Sequence, residues 1–286
     1  MKIIPGDIKT GQLHGYLLGA VAPRPICFAS TIDEDGNSNL SPFSFFNVFG
    51  SKPATLIFSP ARRVRDNTTK HTLENARRTG EVVINVVNYN IVQQMNLASC
   101  EYPDGVDEFV KSGLTPIASD FVKPFRVKES PAQLECRVKE IIETGQEGGA
   151  GNLIICEVLC MHLDDDVLDE NGIIDPHKID LVARMGANYY CRASGDAVFE
   201  VAKPNLELGV GVDMLPEDIR NSHILTGNDL GILGNCTAVP AVDSSFADEE
   251  VSKILHDKTA LHRYAQRLIA EGEINKAWQV LLLKTS

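Results

Sequence analysis

No run in this chain approaches the roughly 18–20 consecutive apolar residues of a membrane helix. The opening segment, "MKIIPGDIKTGQ", has no apolar core of signal-peptide length, so a cytoplasmic protein is expected. Positive charge is scarce: 27 Lys and Arg stand against 39 Asp and Glu, a formal net charge of −12. That balance argues against broad binding to nucleic acid or an anionic membrane. A local cluster of cations can still hold an anionic ligand on an acidic protein.

Several catalytic signatures are missing too. The seven cysteines, at 27, 100, 136, 156, 160, 191 and 236, include no Cys-x-x-Cys, which removes the common zinc and dithiol motifs; no metal is expected. Cys156 and Cys160 fall in "NLIICEVLCMHL", which reads as a buried strand. Simple alternation turns both to one side of a sheet as small apolar residues. "GVGVDM" (209–214) lacks the third glycine of a dinucleotide fingerprint, "GNDLGILGN" (227–235) lacks a Walker lysine, and there is no Gly-x-Ser-x-Gly elbow. His256 and His262 are six apart and do not share a helix face, and "DDDVLDENG" (164–172) lacks the full ligand alternation of a calcium loop.

What is present is a series of short strands in hairpin order. Residues 25–32, 54–59 and 81–87 read as strands, and "PAQLECRVKEIIET" and "NLIICEVLCMHL" as two long ones with "GQEGGAG" at their hairpin tip. "DEDGNSN" has the Asp-Gly and Asn chemistry of a turn, and a last strand is expected near Tyr189–Ala193. Short helices are expected at 8–19, 90–98 and 105–112. "TTKHTLENARRT" (68–79) reads as a helix with Gly80 as its left-handed cap. No steady strand–helix alternation occurs, so the sheet is expected to be an antiparallel barrel. After about residue 200 the spacing becomes helical. Leu261, Tyr264, Ala265 and Leu268 share one face, as do Ile274, Ala277, Trp278 and Leu281, and Ser245 with Asp248 suggests a helix start. The expected division is 1–200 and a helical extension, 201–286.

One basic cluster breaks the acidic background. "ARRVRDNTTKHT" (61–72) carries Arg62, Arg63, Arg65 and Lys70 with Thr68, Thr69 and Thr72, directly before a helix. Helix N-termini offer free N–H groups and partial positive charge, so the segment is either a phosphate site or a solvated basic turn.

"RPICFASTIDEDGNSNLSPFSFFN", "PATLIFSP", "KHTLENARRTGEVVINVV", "MNLASCEYPDGVDEFVKSGLTP", "ESPAQLECRVKEII" and "LVARMGANYY", in that order, resemble the flavin reductase-like, FMN-binding split-barrel family over about residues 15–195. The resemblance implies a mainly β fold with helices: an antiparallel FMN-binding split β-barrel, here with a C-terminal helical extension. It implies an NAD(P)H:flavin oxidoreductase, or alternatively a flavoredoxin-type FMN electron carrier serving a redox protein partner. NADH or NADPH would be the donor and a homodimer the assembly. By position, Ser30 and Thr31 would lie along the isoalloxazine ring. Pro42, Ser44 and Asn47 would line its other polar edge, and Ser59 would lie near the ribityl chain. Lys70 and Thr72, with Arg65, would grip the phosphate, beside His71 where the family usually has Asp. Asn96 and Ser99 would close over the cofactor. His162, Arg184 and Tyr189 are candidates for the nicotinamide side.

Overall fold

The acidic turn closes a hairpin through its own side chain. The Asp33 carboxylate accepts hydrogen bonds from the backbone N–H groups of Asp35 (3.0 Å) and Asn37 (2.8 Å), and Gly36 takes a φ of 90°. The computed structural model describes residues 1–103, 105–201 and 208–283. The chain divides into two compact units, Met1–Phe199 and Glu200–Ser286.

In the first unit the strands, in chain order, are β1 (Arg24–Pro25), β2 (Cys27–Ile32), β3 (Ser38–Phe43), β4 (Phe46–Ser51), β5 (Ala54–Phe58), β6 (Glu81–Val86), β7 (Pro116–Ile117), β8 (Arg126–Val127), β9 (Ala132–Glu143), β10 (Asn152–Leu163), β11 (Val182–Arg184) and β12 (Tyr190–Arg192). The helices are α1 (Thr10–Ala20), α2 (His71–Thr79), α3 (Val92–Ala98) and α4 (Glu108–Ser112). Seven strands form one antiparallel sheet in the order β3-β2-β6-β9-β10-β5-β4. The Ser-, Asn- and Phe-rich stretch read as a bridge between two strands is therefore two further strands, β3 and β4. Their ladders come from partners outside the segment, which local propensity does not report. Pro42, which cannot donate to a ladder, lies on the edge strand β3.

β3 and β4 are consecutive in the chain yet lie at opposite edges of the sheet, with only Ser44 and Phe45 between them. Three Cα steps span at most about 11 Å. The sheet must therefore curl until its edges nearly meet, which makes a barrel split at residues 43–46. Cys27, Ala29, Phe58, Val82, Ile84, Cys136 and Ile154 fill one face of that sheet, and Phe28, Leu40, Met95 and Phe109 build a second apolar cluster with α3 and α4.

Two local departures matter for the site. Helix α2 begins at His71 rather than 68, because Thr68 is used to close the preceding bend: its carbonyl accepts from the Arg63 N–H (2.9 Å) and its own N–H donates to Asp66 (3.1 Å). The helix ends as expected at Gly80, with φ 68°. An added Cβ there meets nothing within 4 Å. Gly80→Ala is thus expected to destabilise the protein by about 1–2 kcal/mol through backbone conformation alone, seen as a lower urea midpoint at unchanged slope.

The β9–β10 hairpin carries a bulge between Val158 and Cys160. Val158 stands opposite Cys136, in the core face, but Cys160 stands opposite Glu135, in the other face. The alternation expected to put Cys156 and Cys160 on one side is thereby reversed: Cys156 is buried in the core and Cys160 is turned away from it.

The second unit holds α5 (Glu217–Arg220), α6 (Gly227–Leu233), α7 (Glu249–Ile254), α8 (Lys258–Ala270) and α9 (Ile274–Leu282). Residues 202–207 and 284–286 of the expected extension lie outside the described residues. Leu261, Tyr264, Ala265 and Leu268 of α8 and Ala277, Trp278 and Leu281 of α9 are buried together, as their spacing predicts. Asp248 caps α7 by accepting from the Val251 N–H (3.0 Å), whereas Ser245 donates to Asp243 instead.

Candidate functional site

The split between β3 and β4 opens onto a cavity of about 260 Å³, lined by Pro42, Phe43, Ser44, Phe45, His14, Arg24, Ser99, Arg184 and Tyr190. A second cavity of about 670 Å³ shares Ser99, Arg184 and Tyr190 with it and adds Tyr89, Asn96 and Arg192. Arg184 stands opposite Tyr190 in the β11–β12 ladder, so the two side chains share a face. The Arg184 guanidinium lies 4.6 Å from the Tyr190 ring centroid, hydrogen-bonds the Tyr190 hydroxyl and donates to the Ala187 carbonyl at 2.7 Å. Across the larger cavity, Arg192 lies 3.8 Å from the Tyr89 centroid and is held by both oxygens of Asp180 at 2.7 Å. Two flat cation–aromatic stacks in one cavity suit a planar heterocycle.

The basic bend sorts its own cations. Arg62 is spent on Asn67, through the side-chain oxygen at 2.7 Å and the carbonyl at 2.9 Å. Arg63 donates to Glu101 (3.1 Å), to the Thr68 hydroxyl (2.9 Å) and to the Thr69 carbonyl (2.6 Å). Arg65, 71% exposed, pairs with Glu101 (2.9 Å) and Asp66 (3.3 Å). Hydrogen bonds from Arg65 and then Arg63 hold the Glu101 carboxyl below its ordinary range. Lys70 differs. It is partly buried, its ammonium sits 5.2 Å from the Phe43 ring centroid, and it forms no ion pair among the described residues. Burial first, and then the Arg63 charge, push its pKa down; the Glu101 charge opposes this more weakly. A second crowded cation lies on the smaller cavity: Arg24 is lowered by burial and then by Arg184. In both, burial and a neighbouring like charge disfavour the protonated form.

The other sequence-derived candidates divide. Pro42, Ser44, Ser99, Asn96 and Arg184 line the two cavities. Ser30 is fully buried and its hydroxyl has no partner. Thr31 and Thr72 are also buried, but both are engaged with Asn39, at 3.2 and 2.9 Å, and Thr31 also accepts from Asn75 at 3.2 Å. That network docks α2 onto β2 and β3. Ser59 is buried and accepts from the Asn152 N–H (3.0 Å), and Asn47 is exposed and accepts from the Val48 N–H (2.8 Å). His71 is exposed and lines a separate cleft with Asp107 and Glu108. His162 lies against Glu135, and Tyr189 is 75% exposed and lines neither of the two cavities. Its neighbour Tyr190 faces them instead. Sequence reasoning missed Tyr190, Arg24, His14 and the Arg192–Tyr89 stack. Strand alternation could have found Tyr190, since only one of two adjacent tyrosines can share the face of Arg184.

Comparison with known proteins places this architecture. An uncharacterized protein of Aquifex aeolicus (strain VF5) is 36% identical over 201 residues, covering 70% of this chain and all of that protein. The crystal structure of nitrilotriacetate monooxygenase component B from Bacillus cereus is similar with a TM-score of 0.65 and 26% identity, covering 70% of this chain and 98% of that one. A split-barrel-domain structure from Shewanella frigidimarina NCIMB 400 is similar with a TM-score of 0.59 and 27% identity, covering 69% and 95%. The family model described as "Flavin reductase like domain" matches residues 19–184, more than half of the sequence, and the chain belongs to that family.

Proposed function

We propose that this protein is a flavin-binding oxidoreductase that holds FMN at the split of the barrel and takes hydride from NADH or NADPH. The observation that carries this reading is Lys70: a partly buried cation without an ion-pair partner among the described residues, stacked on the same Phe43 that lines the cavity. Lys70 and the first amides of α2 would hold the FMN phosphate, as a point charge and a set of N–H donors. Arg63 keeps the bend in shape, and Arg65 adds only a screened surface charge. Ser44, Ser99 and Arg184 would donate to the polar edge of the ring, with positive charge where negative charge develops. The orphaned hydroxyl of Ser30 is a further donor awaiting an acceptor. When bound, FMN supplies the hydride-accepting centre that no side chain offers. The Arg–Tyr stacks of the 670 Å³ cavity would orient a nicotinamide for transfer over roughly 3–3.5 Å.

The alternative reading is an FMN electron carrier, favoured by the net charge of −12, which suits docking to a basic redox protein. Anaerobic mixing with NADH or NADPH separates the two. Rapid loss of the flavin's visible absorbance is expected; a flavin-loaded protein that stays oxidised would leave only the carrier.

The same reading includes a homodimer. The edge strand β4 exposes Val48 (64%) and Phe49 (63%), and α1 buries none of its residues within the chain. Sedimentation should give twice the chain mass. A cytoplasmic setting fits seven free cysteines and, among the described residues, no helix long and apolar enough to cross a membrane.

A further inference from the structure

The bulge at Val158/Cys160 does more than disturb the ladder. It turns Cys160 into register with Glu135 on the face away from the core, and His162, two residues on, shares that face. The His162 Nε2 lies 2.7 Å from the Glu135 Oε1 and 3.5 Å from the Cys160 Sγ. All three ligand atoms fall within 4.8 Å of one another. The carboxylate of Asp120, on a neighbouring loop, lies 3.8 Å from the same nitrogen. We propose that Glu135, Cys160 and His162, with Asp120 able to swing in as a fourth ligand, form a zinc-type divalent metal site.

Three features favour a metal over a proton relay. Both contacts of the imidazole fall on one nitrogen, Nε2, whereas a relay passes a proton between the two ring nitrogens. Thiolate, imidazole and carboxylate are the donor set zinc takes, and tetrahedral zinc at about 2.3 Å from sulfur and 2.0–2.1 Å from nitrogen separates those atoms by roughly 3.5 Å. That edge is already in place. The nitrogen–oxygen edge is short by roughly 0.6 Å of the same geometry, a gap that a small rotation of the imidazole opens once its bridging proton leaves. Finally, the carboxylate is set in advance. Glu135 is fully buried and accepts from the backbone N–H groups of Asp120 (2.9 Å), Phe121 (2.6 Å) and Val122 (3.2 Å), so its oxygens are oriented before any ion arrives. Loading releases the thiol proton to solvent, and the imidazole binds as the neutral tautomer with its proton on Nδ1: a neutral ring shifts its Nε2 proton there, and an imidazolium releases one further proton. No electron is transferred.

Cobalt(II) reports on such a site directly. Full-length protein, flavin included, is titrated with Co²⁺ under anaerobic conditions and read as a difference spectrum. One equivalent is expected to produce thiolate-to-cobalt charge transfer and the intense d–d bands of tetrahedral coordination, both bleached by one equivalent of Zn²⁺. Cys160→Ser should abolish the charge-transfer band, His162→Ala should weaken binding at least about tenfold, and Cys100→Ser, at an exposed cysteine, should change nothing. Absence of the band, its survival in Cys160→Ser, or its loss in Cys100→Ser overturns the site. X-ray absorption of the zinc-loaded wild type gives a reading that needs no variant: one sulfur scatterer at about 2.3 Å is expected, and a shell of oxygen and nitrogen alone rejects the proposal.

Discussion

Replacing Lys70 with Ala is expected to weaken FMN binding by roughly 10- to 150-fold, the equivalent of losing one charge-assisted hydrogen bond of about 1.5–3 kcal/mol. Fluorescence titration of the purified protein with FMN measures it. Arg65→Ala should move the same constant by less than about fivefold, because an exposed arginine already paired with two carboxylates contributes at most about 1 kcal/mol. Riboflavin, which lacks the phosphate, should bind both variants and the wild type alike. The pH dependence follows from the crowding at the bend. Burial and Arg63 push Lys70 below the ordinary lysine value, so it loses its proton earlier than an exposed lysine does. FMN affinity should therefore fall as pH rises through that lowered value, and the fall should be missing in Lys70→Ala. Equal affinity for FMN in wild type and Lys70→Ala would remove the phosphate from this bend.

Glu135→Ala is expected to destabilise the protein by about 3–5 kcal/mol, since it leaves His162 without its carboxylate and three loop amides without an acceptor. Denaturant unfolding should show a large drop in midpoint. Burial favours the neutral acid, but the amides of Asp120 and Phe121 and the His162 contact outweigh it and hold the Glu135 pKa below the ordinary value. A carboxyl with a depressed folded pKa contributes stability above its unfolded pKa and loses it as pH falls through the folded one. The acid limb of the stability curve should therefore be shallower in Glu135→Gln than in wild type. An unchanged midpoint in Glu135→Ala would mean that the 118–122 loop does not depend on this carboxylate.

Much of the barrel was legible because its signals are local. The Asp33 turn, the long hairpin and the Gly80 cap each depend on residues a few positions apart, and turn chemistry and periodicity report at that range. The stretch read as a polar bridge was not legible as two strands. β3 borrows its ladder from β2, and β4 borrows from β5, so pairing rather than propensity makes them.

The site divides along the same line. The ingredients of the candidate site were written in the sequence: a basic, threonine-rich bend before a helix, small polar residues at the strand ends, and Arg184 in the last hairpin, although its partner there is Tyr190 and not the expected Tyr189. Which of them face a cavity was settled only by the folded chain. Glu101, 36 residues beyond Arg65, captures two of the arginines, Asn67 occupies Arg62, and Lys70 is left with neither an ion pair nor a side-chain hydrogen bond among the described residues. One extra residue in β10 moves Cys160 across the sheet to Glu135 and His162. Side-chain partners and strand register are long-range contacts, and local sequence patterns carry no record of them.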